Sequence, residues 1–196
     1  MLPMLSTTEW TRYRRLNVGL DPAALSRLRR ELHDGPAKVR RIVVRAVNKI
    51  ARKARTKIIR AVTGELNLTQ AEVRNRNIRM RLANYETTAA TITVTGRRIP
   101  LRRFGARQTR RGVSYAIRRG KRQVAAGSFL ATMPSGHAGV MRRKTTARLP
   151  IAELYGPSVP VAMEGIAELS RGVLERALSN DLAVEIETQK RLVIGT

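Results

Sequence analysis

The sequence predicts an α+β fold: a mainly antiparallel sheet packed by a long basic helix near the N-terminus and an acidic helix near the C-terminus. Three observations predict it. Apolar residues recur every three or four positions from Val39 to Ala61, which is the helical period. Short stretches between residues 78 and 117 alternate apolar and polar side chains, which is typical of half-buried strands. A helical period returns after Pro160, with acidic residues on its other side.

Composition restricts the class of protein. The chain has 196 residues, 42% of them hydrophobic, which suits one domain of ordinary size. Its net charge of +25 requires an anionic partner: nucleic acid first, with an acidic protein surface or an anionic membrane as alternatives. It contains no cysteine, which excludes disulfides and thiol catalysis. Because no apolar run could span a bilayer or form a signal-peptide core, we expect a soluble protein made in the cytoplasm.

We expect three parts: an N-terminal arm over residues 1–18, a single α+β domain over 19–190, and a C-terminal tail over 191–196. The arm shows no clear period. Trp10 is its candidate contact with a neighbouring subunit, because tryptophan is common among interface anchors. Asp21 and Pro22 are typical of a helix start, and the Gly-Pro pair at 35–36 ends that helix near residue 33.

Pro36 opens the longest predicted helix, which Gly64 closes. Opposite its apolar stripe lie nine cations and no acid, although like charges four residues apart repel by a few tenths of a kcal/mol. An external anion, either phosphate or an acidic partner, would offset this repulsion; a merely solvated face is the alternative. The candidate contacts on this helix are Arg45, Lys49, Arg52 and Lys53.

A capping box and four strands are predicted next. Thr69, followed three residues later by Glu72, is the capping-box pattern and starts a short helix that reaches about residue 75. The predicted strands cover 78–82, 90–95, 128–133 and 139–143. The last two of these strands form a predicted hairpin, and His137 lies on the loop between them. Neither His137 nor His33 has acids at ligand spacing, so we expect no metal or catalytic role for either.

Residues 97–122 are the most basic part of the chain, with eleven cations in 26 positions. We expect a strand near 113–117 and an exposed basic loop over about 102–112. Phe104 and Tyr115 could stack on bases, but two aromatics are too few for a single-strand platform, so salt-dependent phosphate contact is the expected mode. The candidate contacts are Arg97, Arg98, Arg102, Arg103, Arg107, Arg110, Arg111, Arg118, Arg119, Lys121 and Arg122.

The stretch Gly156 to Pro160 follows the point where the charge changes sign. The net charge is +28 before Leu149 and −3 from Leu149 onward. Two prolines predict a rigid corner that leads into the acidic helix. We expect acids of that helix to meet a basic face of a neighbouring subunit in a head-to-tail ring, with a solvated helix face as the alternative. These interface candidates are Glu164, Glu168, Glu175 and Glu185.

The motif inventory disfavours an enzyme. The Gly-rich nucleotide-binding patterns are absent, and neither a paired-acid metal site nor a visible Ser-His-Asp set is present. We therefore expect no catalytic residues, no metal and no cofactor. The second helix is also far too long for a helix-turn-helix, so sequence-specific DNA reading is not expected.

The order of these pieces resembles the minor tail protein Z, or tail completion, family of long-tailed, lambda-like bacteriophages. The resemblance covers about residues 19–180. The pieces that carry it are Val43 to Thr56, Leu68-Thr69-Gln70, Val73 to Arg76 with Ile78-Arg79, Gly127 to Ala131, Gly139 to Arg143, and Leu149 to Pro160.

The resemblance implies a structural virion protein that completes the head-proximal end of the tail, for head–tail joining and DNA positioning. It implies a ring of copies, six-fold like the tail tube, beside tube, terminator and neck proteins and around the genome DNA end, with no membrane. The protein would reside in the virion tail after assembly in the host cytoplasm. The alternative function is non-specific RNA or DNA binding, in a ribosome- or nucleoid-associated protein.

Overall fold

The computed structural model describes residues 14–20, 22–32, 36–169 and 171–194. Within these ranges the chain is α+β, with five α-helices and four small antiparallel sheets. The predicted fold class is therefore confirmed. Buried apolar residues from Val18 to Ile186 form one connected cluster.

The long helix α2 (Pro36–Glu65) is the centre of this cluster. It follows α1 (Pro22–Leu32) and has the predicted length and stripe. Ile42, Val47, Ile50 and Ile58 on that stripe are 0% exposed. Burying each such side chain stabilises the fold by about 1.5–3 kcal/mol, so α2 is held by tertiary contacts in spite of its repelling cations.

A three-stranded sheet packs on α2, in the order β1 (Arg14–Val18), β3 (Ala90–Val94) and β2 (Ile78–Arg81). β2 and β3 were predicted. β1 corrects the predicted arm, because residues 14–18 pair with 90–94 and Val18 is buried at 3% exposure. A single apolar–polar alternation, Leu16 and Val18, was too short a signal among arginines to indicate a strand.

The capping box is confirmed. Thr69 Oγ accepts from the Glu72 backbone N–H at 3.2 Å, and the Glu72 carboxylate accepts from the Thr69 N–H at 3.4 Å. The helix that it starts, α3 (Gln70–Glu72), continues as a π-helical turn over Val73–Asn77 and delivers the chain into β2.

The remaining strands form the other three sheets, in the orders β5-β6-β7, β10-β9-β8 and β11-β4. Their bounds are β4 Ile99–Pro100, β5 Arg107–Thr109, β6 Gly112–Arg118, β7 Lys121–Ala126, β8 Ser128–Thr132, β9 Ala138–Arg143, β10 Ile151–Glu153 and β11 Tyr155–Gly156. The hairpin predicted at 128–143 is β8 with β9.

The predicted basic loop over 102–112 is wrong as a continuous loop. A 3-10 turn, Leu101–Arg103, and strand β5 interrupt it, and β6 begins at Gly112. Phe104 is fully buried at 0% exposure, so it is a core residue and not a base-stacking platform. All three residues of β5 are exposed, and without a buried alternate position the strand had no alternation to show in the sequence.

The C-terminal helical region is broken into three pieces: α4 (Val159–Glu164), a 3-10 turn (Ala167–Leu169) and α5 (Arg171–Ile194). The interruption turns Val161 and Val173, both predicted to lie on the apolar stripe, out to 38% and 46% exposure. α5 continues through residues 191–194, so the predicted C-terminal tail is helical over those residues. α5 packs along α2 and completes the core.

Candidate basic interfaces

The first basic surface is the sheet β5-β6-β7, residues 107–126, which we name the basic ribbon. It holds seven cations and no acid. Gly112 at φ +143° and Gly120 at φ +75° make the backbone conformations at its two turns that side chains rarely adopt. Ser128 anchors the ribbon: its Oγ donates to the Ala125 carbonyl at 2.6 Å and accepts from the Val113 N–H at 3.1 Å.

Two ribbon arginines are committed to contacts within the chain. Arg118 Nε lies 2.8 Å from Glu65 Oε1 on α2. Arg122 donates to the Gly105 carbonyl at 2.9 Å and to Ser114 Oγ at 3.0 Å. The others are exposed and form no ion pair with any described residue: Arg107, Arg110, Arg111, Arg119 and Lys121.

The four predicted cations that precede the ribbon do not act alike. Arg97 and Arg102 are exposed. Arg103 Nη1 lies 3.2 Å from Glu72 Oε1, so it is drawn to the capping box. Arg98 is half-buried. The stretch 97–122 is therefore not one uniform surface, and its free cations concentrate in the ribbon.

The second basic surface is a groove between α2 and α5, which we name the α2–α5 groove. It is open to solvent and has a volume of about 870 Å³. Its polar lining contains five cations, one carboxylate and one hydroxyl: Lys49, Arg52, Lys53, Lys57, Arg60, Asp181 and Thr56. Ala54, Ala61 and Leu178 complete the lining. Of the predicted contacts on α2, Arg45 is exposed but lies outside this lining.

Lys49 joins the two helices at this groove. Its Nζ lies 2.8 Å from Glu185 Oε2, and Gln189 Nε2 donates to Glu185 Oε1 at 2.9 Å. Burial raises the pKa of Glu185, but the hydrogen bonds from Lys49 and Gln189 and the charges of Lys49 and Lys53 outweigh it and hold the pKa below the ordinary value of 4.5. The carboxylate is therefore ionised at neutral pH.

Comparison with protein families shows what kind of protein carries these surfaces. The family model described as prophage minor tail protein Z (GPZ) matches residues 23–196. The chain belongs to this family. The resemblance drawn from the sequence is thereby confirmed. Neither the curated proteins nor the solved structures contain a significant match.

Membership of the minor tail protein Z family makes the chain a structural component of a phage tail and locates it in the virion. Its partners are accordingly other tail components. No helix in the described parts of the chain has the length and apolar character that a membrane span needs.

The acids proposed as interface residues in this tail protein are placed unevenly. Glu185 is corrected: at 5% exposure it lies inside the chain against α2, not on the outer face of α5. Its spacing of three from Leu182 and seven from Leu178 was a signal for the inward face. Glu164 and Glu175 are exposed and each makes a contact within the chain. Glu168's side chain and Trp10 lie outside the described residues.

Sequence reasoning missed a polar cluster beside the β11-β4 sheet. Glu153 Oε2 lies 3.0 Å from His137 Nε2 and accepts a hydrogen bond from the Tyr155 hydroxyl at 2.6 Å. That hydrogen bond, with partial burial and the Glu153 charge, raises the pKa of Tyr155 to about 12. Glu153 and Tyr155 are distant along the chain from His137, so spacing alone gave no signal.

No group of three or more potential metal-ligating side chains occurs among the described residues. The His137 cluster contains one carboxylate and one imidazole. Its arrangement supports a structural role in joining the β8–β9 loop to β10 and β11.

Proposed function

We propose that this tail protein completes the head-proximal end of the tail as a ring, hexameric like the tube, that joins tube, terminator and neck proteins and positions the genome end in the lumen. The basic ribbon contacts that DNA. The observation that carries the proposal is the ribbon itself: five exposed cations without an acid partner among the described residues, on an acid-free three-stranded sheet.

The chemistry of the ribbon suits phosphates and not base edges. Arginine supplies a planar set of donors that matches a phosphate bidentately. Contacts of this kind fix position without reading sequence, which is what holding a DNA end requires. The ribbon is anchored to the core through Ser128 and to α2 through Arg118 and Glu65, so its cations are presented by a supported sheet.

Each phosphate contact releases counterions, so the ribbon's contribution has a measurable signature. The slope of the logarithm of the association constant for duplex DNA against the logarithm of salt concentration is negative. Replacing Arg107, Arg110 and Arg111 by glutamine should reduce its magnitude by about two to three units. A matched control replaces the exposed Arg74, Arg76 and Arg79, which lie outside the ribbon, by glutamine. The control should leave the slope within about half a unit of the wild-type value.

The decisive experiment is complementation of particles that lack the protein. We expect the ribbon variant to give tailed particles in wild-type number that retain less DNA and infect poorly, whereas the control variant restores infectivity. Failure of tail assembly in the ribbon variant would show that these arginines face protein. A stable monomer that binds ribosomal RNA tightly at physiological salt, in place of ring formation, would refute the tail-completion proposal itself.

A further inference from the structure

The α2–α5 groove differs from the basic ribbon in having an apolar floor. Ala54 and Leu178, at 1% and 7% exposure, line it together with the half-buried Ala61. The cations stand along its α2 side, and lysine and arginine stems add further apolar surface below their charged ends. A ligand that fills the groove must therefore carry both negative charge and apolar surface.

The cations follow the helical period. Lys49, Lys53 and Lys57 are four residues apart and lie on one line along α2, with steps of about 6 Å at 1.5 Å per residue. Lys53 and Lys57 form no ion pair with any described residue, and both are exposed. A second helix with carboxylates every four residues has the same spacing and would place one acid opposite each of Lys53 and Lys57.

Nucleic acid fits this groove poorly. Single strands are bound in basic grooves by stacking on aromatic side chains, and the groove lining contains none. Duplex phosphates need donors and would leave the alanine and leucine floor uncovered. In helix-in-groove binding, the apolar face of an amphipathic helix packs into a groove on another protein. Here the cations along the groove require that the bound helix be acidic.

We propose that the α2–α5 groove binds an acidic amphipathic helix of a partner protein. The partner's apolar face lies on Ala61, the exposed edge of Leu178 and the stems of the lining cations. Its carboxylates meet Lys53, Lys57 and the neighbouring arginines. Lys49 is held in place by Glu185 and marks the end of the groove. This surface is separate from the basic ribbon, so the inference does not depend on whether the ribbon contacts DNA.

The test uses the full chain and three fluorescent probes. The first is an 18-residue helical peptide with glutamate at every fourth position beside a leucine and alanine face. The second peptide has the same composition with its apolar residues scattered around the helix. The third probe is a 20-base-pair DNA duplex. We expect the amphipathic peptide to bind at least tenfold more tightly than the scattered peptide.

Two charge-reversal variants separate the surfaces. Lys53→Glu with Lys57→Glu should weaken binding of the amphipathic peptide at least tenfold and change duplex binding less than threefold. Arg110→Glu with Arg111→Glu, which makes the same charge change on the ribbon, should change binding of the amphipathic peptide less than threefold. Thermal melting checks that each variant is folded, and the milder Lys53→Gln with Lys57→Gln replaces the reversal if it is not.

Two outcomes would overturn the proposal. Equal affinity for the two peptides would mean that the groove responds to charge alone. Loss of duplex binding in the Lys53 and Lys57 variant, with competition between duplex and peptide, would make the groove a nucleic-acid surface. Neither outcome bears on the complementation result for the ribbon, so the two proposals fail independently.

Discussion

The corner at Gly156 gives a substitution whose cost follows directly from the structure. Gly156 lies on β11, and a Cβ added there would overlap the ring of Phe104, which is 0% exposed. The strand pairing of Gly156 with Ile99 fixes the backbone on one side. The ring cannot withdraw without opening a cavity in the core, so Gly156→Ala is an overpacking change.

Two effects of Gly156→Ala oppose each other. Loss of backbone freedom in the unfolded chain favours alanine by about 0.4–1 kcal/mol, whereas overpacking of a filled core costs about 1–3 kcal/mol. The overpacking cost is the larger, so Gly156→Ala should destabilise the protein. For a chain of this size, each kcal/mol lost from the free energy of unfolding lowers Tm by about 2–4 °C. Gly64→Ala is the matched control, because Gly64 is within α2 and has no atom within 4 Å of an added Cβ. The control should stabilise the protein, by up to about 1 kcal/mol.

Thermal and urea unfolding of both variants measure these signs. A double variant identifies the cause: adding Phe104→Leu to Gly156→Ala removes the ring that the methyl group meets. The double variant should be more stable than the sum of the two single losses by at least about 0.5 kcal/mol. A Gly156→Ala protein that melts at the wild-type temperature, or strictly additive losses, would refute the packing of this corner.

Three further predictions concern single residues. Glu185→Gln should lower the free energy of unfolding by about 1–3 kcal/mol at neutral pH. Because the folded pKa of Glu185 lies below 4.5, this loss should vanish as the pH falls through that pKa. The control Glu187→Gln, at a side chain that is 62% exposed, should change stability by less than about 0.5 kcal/mol. Gly112→Ala, whose Cβ would collide with a backbone carbonyl of β7, should lower Tm more than Gly120→Ala, where the space is open; equal shifts would contradict the ribbon's register. Ultraviolet titration should show one tyrosine ionising near pH 12, and Tyr155→Phe should remove that step.

Sequence reasoning succeeded where one face of an element is buried over several turns or pleats. α2 and strands β2 and β3 were predicted because their apolar residues repeat with the period of the structure. β8 and β9 were predicted as a hairpin on either side of the loop from Pro134 to Ala138. The capping box at Thr69 was equally readable, since it depends on two residues three positions apart. The family itself was recognised from the order of such short pieces.

It failed where burial is set by distant partners. β5 exposes all three of its residues, Arg107 to Thr109, and so shows no alternation. Phe104 is buried because Gly156 leaves room for its ring, a relation across about fifty positions. The break near Gly165 rotated the helical stripe, and the predicted phase was therefore wrong for Val161 and Val173. The two basic surfaces could be predicted as charge, but only the packing of α5 on α2 gives one of them an apolar floor.

The strand β1 determines where a recombinant fragment of this protein can begin. The family match begins at residue 23, but the sheet on α2 includes residues 14–18, whose backbone pairs with β3. A recombinant fragment trimmed to the matched region would keep every family residue and yet leave one whole side of β3 without hydrogen-bond partners. Unpaired strand edges recruit other chains. We therefore expect such a fragment to aggregate. Its copies would associate through the edge of β3 that β1 covers in the full chain.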